Sequence, residues 1–425
     1  MFTQGTIAEV DILRLSDTII VDIVKRVNMG NIHINASGNL VVPKEPVINF
    51  IEGDGIGKDI WPNAQRVFDV AIARAYGDAR KIRWNKILAG EEAFEKTGSW
   101  LPEESLESMR EHPVTIKGPL GTPTGGGHRS LNVTMRQELD LYACVRPVTY
   151  FEGVPSPVKH PEDVNLTIFR ENTEDIYAGI EWNADSPAAK SIIEWMQREL
   201  GVKNIRFPET SSIGIKPISV EGTERLVRAA VEYGLKRNVP VTTVTIVHKG
   251  NIQKFTEGGF LRWGREMIER EYADELASGR LVVDDIIADN FLQQILLNPK
   301  RFDIVALTNL NGDYASDAVA AQVGGIGIAP GANINYVTGH AIFEATHGTA
   351  PDIAGKNLAN PCSVLLSGVE LLHYIRFDDA AYMILNAIRR CLKEGVLTGD
   401  FTRLIGNVEP VGTKEFCDEV IDRLL

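Results

Sequence analysis

Apolar residues along the chain fall into short runs separated by longer amphipathic segments. The short runs, rich in β-branched residues, predict strands at 46–51, 83–88, 114–116, 166–169, 241–248, 281–287 and 302–307. Segments in which apolar residues recur every three or four positions predict helices at 62–76, 102–110, 222–237, 258–272 and 377–394. This alternation of strands and helices predicts an α/β fold.

Two stretches do not follow the alternation. Residues 1–46 look like an N-terminal extension with short strand pieces, and residues 175–215 are polar and irregular, as expected of an arm or an interface element.

The whole chain has 425 residues, of which 44% are hydrophobic. That is enough for a large core and predicts two or three domains.

Charge and cysteine content exclude several classes of protein. A net charge of -13 argues against nucleic-acid binding and offers no basic stripe for anionic lipids. No apolar run is long enough to span a membrane, and the acidic N-terminus is unlike a targeting peptide. The cysteines form no CxxC pair, which argues against a zinc site or a disulfide framework. We therefore expect a cytoplasmic protein without nucleic-acid or membrane partners.

The first candidate site is a pair of acids, Asp313 and Asp317. If this stretch is helical, the two carboxylates lie one turn apart on one face. Carboxylate oxygens at this spacing suit Mg²⁺ or Mn²⁺. The alternative is a capped helix start, with acids near the positive end of the helix dipole.

A second candidate site is a concentration of arginines in an otherwise acidic chain. Arg forks bind carboxylates bidentately, so the group predicts a small anionic ligand. A triglycine at 125–127 precedes it, and Arg146 and Arg170 are each predicted at the end of an apolar strand, where α/β proteins bind ligands. The group comprises Arg129, Ser130, Asn132, Arg136, Arg146 and Arg170. The alternative is that these arginines pair on the surface with Glu138, Asp140, Glu171 and Glu174.

Tyr177 and Lys249 are candidate acid–base groups. Lys249 follows a predicted strand, and a Lys near a metal or other cations can act as a base. Tyr177 can deliver a proton. Taken singly, each residue could instead be structural, and His248 is interpreted as a packed or hydrogen-bonding histidine.

A glycine motif at 53–57 resembles part of a dinucleotide fingerprint. Its spacing is G-x-G-x-G rather than G-x-G-x-x-G, so it does not predict a Rossmann site. The motif instead predicts a tight strand-to-helix turn that needs glycine torsions.

Taken together, these motifs resemble the isocitrate/isopropylmalate (β-decarboxylating) dehydrogenase family, and within it the homodimeric bacterial isocitrate members. The matching segments are 51–57, 117–147, 169–181, 247–257, 288–294, 309–330 and 343–354. The resemblance implies a three-layer α/β fold with a non-Rossmann dinucleotide site. It also implies a large domain (1–141 and 324–425), a small domain (142–174 and 222–323) and a clasp-like dimer arm (175–221).

The resemblance also implies roles for single residues. Ser130, Asn132, Arg136, Arg146 and Arg170 would hold the carboxylates of isocitrate. Asp313, Asp317 and the neighbouring subunit's copy of Asp289 would bind Mg²⁺ or Mn²⁺, and Tyr177 would act with the neighbouring subunit's copy of Lys249. The dinucleotide would contact Thr122, Asn251, Glu344, His347, Gly348, Thr349, Ala350, Asp352, Ile353 and Asn360.

Residues 352 and 353 bear on the choice of coenzyme. NADP-dependent relatives place Lys and Tyr there to bind the 2′-phosphate, whereas Asp352 can accept a hydrogen bond from a free ribose hydroxyl and repels a phosphate. Gly399 replaces a second phosphate-binding Tyr, while Arg403 matches an Arg of the NADP enzymes. The sequence therefore predicts NAD. The alternatives are NADP, another malate-type substrate such as homoisocitrate, and a non-catalytic regulatory subunit.

Overall fold

The computed structural model describes residues 31–122 and 130–425. The strands are β1 His33–Ile34, β2 Leu40–Val41, β3 Val47–Ile51, β4 Arg83–Lys86, β5 Val114–Lys117, β6 Ala143–Thr149, β7 Asn165–Glu171, β8 Glu181–Trp182, β9 Ile213–Gly214, β10 Thr242–His248, β11 Leu281–Ile287, β12 Ile304–Leu307, β13 Pro330–Ile334 and β14 Ala341–Ala345. The helices are α1 Gly57–Tyr76, α2 Glu91–Thr97, α3 Glu103–Glu111, α4 Leu131–Glu138, α5 Pro187–Glu199, α6 Val220–Lys236, α7 Glu257–Glu271, α8 Ala273–Ala277, α9 Ala288–Leu297, α10 Asn309–Gln322, α11 Cys362–Tyr374, α12 Asp378–Lys393, α13 Gly399–Ile405 and α14 Thr413–Asp422.

Ten of the strands form one central sheet in the order β11-β10-β12-β7-β6-β13-β14-β5-β3-β4. The first four are parallel to one another, and so are the last four. Strands β6 and β13 lie between the two sets and are antiparallel to each other and to their other neighbours, β7 and β14. The sheet therefore consists of two parallel halves joined by an antiparallel centre.

Neighbouring residues of the central strands face different cores, which gives the protein three layers. Ala306 and Phe343 belong to a core that runs across one face of the sheet, under α1, α6, α7, α11, α12 and α14. Their chain neighbours Val305 and Ile342 face the other way, since side chains alternate along a strand. On that second face the core is divided into two clusters, one under α9 and α10 and one under α3 and α4.

Polar side chains occupy the second face between its two clusters. Arg146 and Arg170 each lie two residues from an apolar member of the α9–α10 cluster, and Glu344 lies two residues from a member of the α3–α4 cluster. Because residues two apart share a face of the sheet, these charges project into the same gap. The break in the core is therefore where a ligand can lie.

The α/β prediction is confirmed, with differences at single elements. The first helix begins at Gly57 and not at residue 62, because its buried face already starts at Ile60 and Trp61. Arg146 lies in the middle of β6 and not at a strand end. The polar stretch 175–215 contains helix α5 and the short β8–β9 pair. The proposed domain boundaries remain predictions, and most of the N-terminal extension lies outside the described residues.

Candidate active site

Four parallel strands place chemically reactive residues at their carboxyl ends. Strand β7 ends directly after Arg170, and β10 ends directly before Lys249. Strand β11 leads into α9, whose second residue is Asp289, and β12 leads into α10, which carries Asp313. Because parallel neighbours have their carboxyl ends on one side, four distant parts of the chain meet there.

Asp313 lies at the centre of a hydrogen-bonded cluster. Its carboxylate forms an ion pair with Arg170 and accepts a hydrogen bond of 2.6 Å from the hydroxyl of Tyr177. The Nε of Arg170 donates to the Oδ1 of Asn309, one turn earlier in α10, at 2.9 Å. A Cβ at Gly312 would lie 2.6 Å from the Cβ of Arg170. Only glycine at this position lets the helix lie so close to the arginine.

The cluster fixes the protonation of both partners of this hydrogen bond. Burial alone would raise the pKa of Asp313, but Arg170 and the hydrogen bond from Tyr177 outweigh it, so this pKa lies below its usual value. Burial, together with the carboxylate of Asp313, raises the pKa of Tyr177. Tyr177 therefore keeps its proton at neutral pH, as a proton donor must.

Arg146 contacts the next turn of the same helix. Its Nη1 donates to the hydroxyl of Ser316 and lies 3.4 Å from the Oδ1 of Asp317. Burial raises the pKa of Asp317, Arg146 opposes this shift, and the neighbouring Asp313 adds to it. The prediction that the two acids share one helical face is confirmed. Because α10 has no acid in its first turn, the alternative of a dipole-capping pair is wrong.

Arg136, Lys117 and Glu344 form a buried ion triad beside this cluster. Arg136 Nη2 and Lys117 Nζ each lie 2.7 Å from a different carboxylate oxygen of Glu344. All three side chains are buried. Burial would raise the pKa of Glu344, but the two cations hold it far below its usual range. Glu344 therefore remains charged and fixes the Arg136 guanidinium in place.

Three buried polar atoms around the gap have no hydrogen-bond partner within the described residues. They are the Nε atoms of Arg136 and Arg146 and the Oδ1 of Asn132. Buried N–H groups are normally satisfied, so the two guanidinium donors fit an acidic ligand. Ser130 is half-buried directly before α4. Arg129 and the triglycine lie outside the described residues.

Lys249 and Asp289 form a separate pair. Their side chains are joined by an ion pair that is largely open to solvent, with 34% of the lysine and 70% of the aspartate side chain exposed. A hydrogen bond from Lys249 is the main reason why the pKa of Asp289 lies below its usual value. The adjacent His248 is buried and hydrogen-bonded as predicted, since its Nδ1 accepts from the backbone of Gly250 at 3.0 Å.

The glycine motif at 53–57 supports the turn that follows β14. The backbone N–H of Ile56 donates to the carbonyl of Thr349 at 2.9 Å. A Cβ at Gly55 would lie 2.1 Å from that carbonyl oxygen, and the φ of Gly55 is +54°. The predicted glycine turn is confirmed, and it explains why residues 347–350 sit next to the start of α1.

The predicted coenzyme residues mostly line this turn. The Nδ1 of His347 donates to the carbonyl of Gly348 at 3.0 Å, burial lowers the pKa of His347, and its Nε2 has no partner within the described residues. Ala350 adopts a left-handed φ of +39°, and Asp352 is exposed in the short 3-10 helix Pro351–Ile353. Asn360 is buried and donates to Asp400 at 2.9 Å. Thr122 and Asn251 are exposed.

Comparison with known proteins identifies the family. Residues 47–420 match the family described as isocitrate/isopropylmalate dehydrogenase. The chain belongs to this family. An isocitrate dehydrogenase [NADP] from Streptococcus mutans is 64% identical over 387 residues, covering 91% of this chain and 98% of the relative. An isocitrate dehydrogenase [NADP] from Staphylococcus aureus (strain Mu50) is 54% identical over 411 residues, covering 91% of this chain and 97% of the relative.

A solved structure agrees with this assignment. The isocitrate dehydrogenase from Methylococcus capsulatus is 38% identical, with a TM-score of 0.74, and the match covers 89% of this chain and 99% of that one. The family fold expected from the sequence is therefore confirmed. In the described part of the chain, no helix is long and apolar enough to cross a membrane.

The divalent cation expected from the sequence would have only part of a site in one chain. Among residues 31–122 and 130–425, no group of three potential metal-ligating side chains occurs. Asp313 and Asp317 lie together, whereas Asp289 is paired with Lys249. The two carboxylates of α10 fit two ligand positions of Mg²⁺ or Mn²⁺. The side chain of Asp289 is exposed, so it can contribute a ligand to a metal site of another subunit.

The alternative that the arginines pair on the surface with Glu138, Asp140, Glu171 and Glu174 is wrong for Arg136, Arg146 and Arg170. Arg136, Arg146 and Arg170 pair with Glu344, Asp317 and Asp313 instead. Sequence reasoning missed Lys117, Asn309 and Ser316. Lys117 had one usable signal, since a lysine that ends an apolar strand is buried only with an acidic partner.

Proposed function

We propose that the protein is an isocitrate dehydrogenase that converts isocitrate to 2-oxoglutarate and CO₂. The observation that carries the proposal is the convergence of Arg136, Arg146 and Arg170 on the gap beside Asp313 and Asp317. Three guanidinium groups suit a ligand with several carboxylates, and the two acids suit a cation that such a ligand chelates. The names of the close relatives support the same substrate.

The residues divide the chemistry among themselves. The arginines, with Ser130 and Asn132, hold the substrate carboxylates. The neighbouring subunit's copy of Lys249 removes the proton of the C2 hydroxyl, and Tyr177 delivers a proton to carbon after loss of CO₂. When bound, the nicotinamide would supply the acceptor for the C2 hydride, and Asp313, Asp317 and the neighbouring subunit's copy of Asp289 would hold a cation that acts as a Lewis acid toward the C2 oxygen. The raised pKa of Tyr177 suits its assigned role.

The observations on the coenzyme favour different answers. The names of the relatives favour NADP, and Lys356, whose Nζ lies 2.7 Å from the carbonyl of Asp352, supplies a cation at the coenzyme turn. Arg403 is a second exposed cation, and it forms no ion pair within the described residues. We propose NADP on these grounds. NAD is the second candidate, because the exposed carboxylate of Asp352 would repel a 2′-phosphate.

We propose a homodimer with shared active sites, which the position of Asp289 supports. Asp289, Leu292 and Leu296 share one face of α9, since they are three and seven residues apart. Leu292 and Leu296 are 40% and 60% exposed, and Phe255 of the neighbouring loop is 88% exposed. A second copy covering this stripe would bury it and bring Lys249 and Asp289 to another site.

The described cysteines are buried and unpaired, in keeping with the predicted cytoplasmic location.

Initial rates of nicotinamide reduction test the proposal. The purified chain would be assayed with isocitrate and Mg²⁺, with NADP and NAD in parallel. Faster reduction of NADP is expected. Faster reduction of NAD would keep the reaction and reverse the coenzyme. If neither is reduced, but homoisocitrate or another malate-type acid is oxidised, the substrate assignment is wrong; a chain inactive with all of them would be a regulatory subunit.

A further inference from the structure

The turn that carries Lys249 rests on a buried carboxylate with no role in the chemistry described so far. Glu257, the first residue of α7, is 0% exposed. Its Oε2 accepts a hydrogen bond of 2.9 Å from the backbone N–H of Lys249. The same oxygen accepts from the Nδ2 of Asn311 in α10 at 3.1 Å. One carboxylate oxygen therefore connects the Lys249 turn to the helix of the acid pair.

The other oxygen of Glu257 has its own partners. Oε1 lies against the Nζ of Lys216 in an ion pair and accepts a hydrogen bond of 3.0 Å from the hydroxyl of Thr308, the residue before α10. Lys216 also lies 3.4 Å from the buried Asp175, two residues from Tyr177. Removing one partner of a buried ion pair is strongly destabilising, so a test of Glu257 has to treat Lys216 at the same time.

The backbone around Lys249 is closely packed, which leaves little room for it to shift to another hydrogen-bond partner. A Cβ at Gly250 would lie 2.8 Å from the Cα of Gly258, so the turn lies directly on the start of α7. The carbonyl of Lys249 accepts from the N–H groups of Ile252 and Gln253, both at 3.0 Å. The Lys249 N–H is thus the one polar backbone atom of this residue that a side chain holds.

We propose that Glu257 is a positioning residue for Lys249. Its Oε2 holds the Lys249 backbone against α10 of the same subunit, and so sets the position from which the ammonium group reaches the substrate of the neighbouring subunit. This role rests on the proposed function, in which Lys249 handles the hydroxyl proton. Reaction rates are sensitive to small misplacements of such groups, so loss of the hydrogen bond should slow turnover without weakening substrate binding.

Two double variants isolate this hydrogen bond from the ion pair. Both carry Lys216→Met, so that the buried cation is removed at the same time as the charge of Glu257. In Glu257→Gln/Lys216→Met, the amide oxygen can still accept from Lys249 and Asn311 while its NH₂ faces the Thr308 hydroxyl. In Glu257→Leu/Lys216→Met, a side chain of similar size has no acceptor. The two variants differ in the acceptor and not in net charge.

The expected result is a difference in kcat alone. The leucine variant should turn over roughly ten- to a hundredfold more slowly than the glutamine variant, with KM for isocitrate within about threefold. Its isotope effect with C2-deuterated isocitrate should rise, because chemistry becomes slower than product release. Equal kcat values in the two variants would overturn the proposal. A lower kcat of the leucine variant that is accompanied by a lower thermal midpoint of unfolding would overturn it as well.

A second measurement does not depend on the reaction. Hydrogen exchange should show the Lys249 amide less protected in the leucine variant than in the glutamine variant, and equal protection would also contradict the proposal. If the unmodified protein does not oxidise isocitrate, the proposed function fails instead. The exchange result then still reports whether Glu257 holds this backbone.

Discussion

The two parts of the candidate site differ in how completely one chain builds them. The anion half-site, formed by Arg136, Arg146, Arg170, Tyr177 and Asp313, is held by side chains from β6, β7, β14, α4 and α10, and 2% of the Arg170 side chain is exposed. The lysine half-site, formed by Lys249 and Asp289, is one ion pair at the surface, with 70% of the Asp289 side chain exposed. The first half-site is preorganised within a single chain. The geometry of the second half-site depends on the second copy proposed to cover it.

This difference follows from the position of the two half-sites in the sheet. The anion half-site lies in the gap between two core clusters, where α4 and α10 flank it. The lysine half-site follows β10 and β11, the last two strands at one edge of the sheet, and continues into the exposed apolar stripe of α9. Burial should therefore make substitutions in the first half-site costly for folding, while substitutions in the second should affect turnover alone.

The largest expected effect is that of Lys249→Met on turnover. Removing the proposed base should lower kcat by roughly 10²- to 10⁴-fold. The thermal midpoint should change little, because exposed ion pairs stabilise folded proteins only slightly. Initial rates, calorimetry of Mg²⁺–isocitrate binding and thermal unfolding give the three quantities.

Lys254→Met is the matched control for this substitution. Lys254 lies in the same loop, is exposed, and has no assigned role. Its replacement should leave kcat near that of the unmodified protein. Near-normal turnover of Lys249→Met would remove Lys249 from the mechanism, and a large loss of thermal stability would show that this half-site also supports the fold.

The next effect is that of Arg136→Met on stability. The substitution leaves Glu344 buried with Lys117 as its only cation, and breaking a buried ion network costs about 3–5 kcal/mol. Because the folded pKa of Glu344 is lowered, its stabilisation is fully present above the unfolded value of 4.5 and is lost as pH falls through the lower folded value. The difference between variant and unmodified protein should therefore shrink below about pH 4.5.

Denaturant unfolding at several pH values measures this difference. Arg110→Met is the control, since Arg110 is an exposed arginine that also pairs with carboxylates, Glu103 and Glu138. Its replacement should cost far less. An equal cost for the two arginines, or a difference that grows at acid pH, would mean that the triad does not stabilise the fold through charge.

How much of the site the sequence could predict depends on the same contrast between local and long-range order. The spacing of Asp313 and Asp317 and the glycine torsions at Gly55 are local properties, and both predictions are confirmed. The partner of Arg136 was not predictable in this way, because Glu344 is 208 residues away. Their meeting depends on β14 lying near α4, which is a matter of strand order. Helix α9 was missed because apolar residues lie on both its buried face (Phe291, Ile295) and its exposed face (Leu292, Leu296), so its sequence lacks a clear amphipathic pattern.

The smallest expected effect is a change of coenzyme preference at an exposed position. Asp352→Lys with Ile353→Tyr replaces a carboxylate by groups that can bind a 2′-phosphate, and a new charged hydrogen bond is worth about a tenfold rise in the NADP/NAD ratio of kcat/KM. Asp352 is exposed, whereas Ile353 is half-buried against the core, so any loss of stability should come from Ile353→Tyr. Lys356→Ala, which removes the cation beside Asp352, should lower the same ratio. If neither substitution moves it, coenzyme choice is decided away from this turn, with Arg403 the next residue to replace.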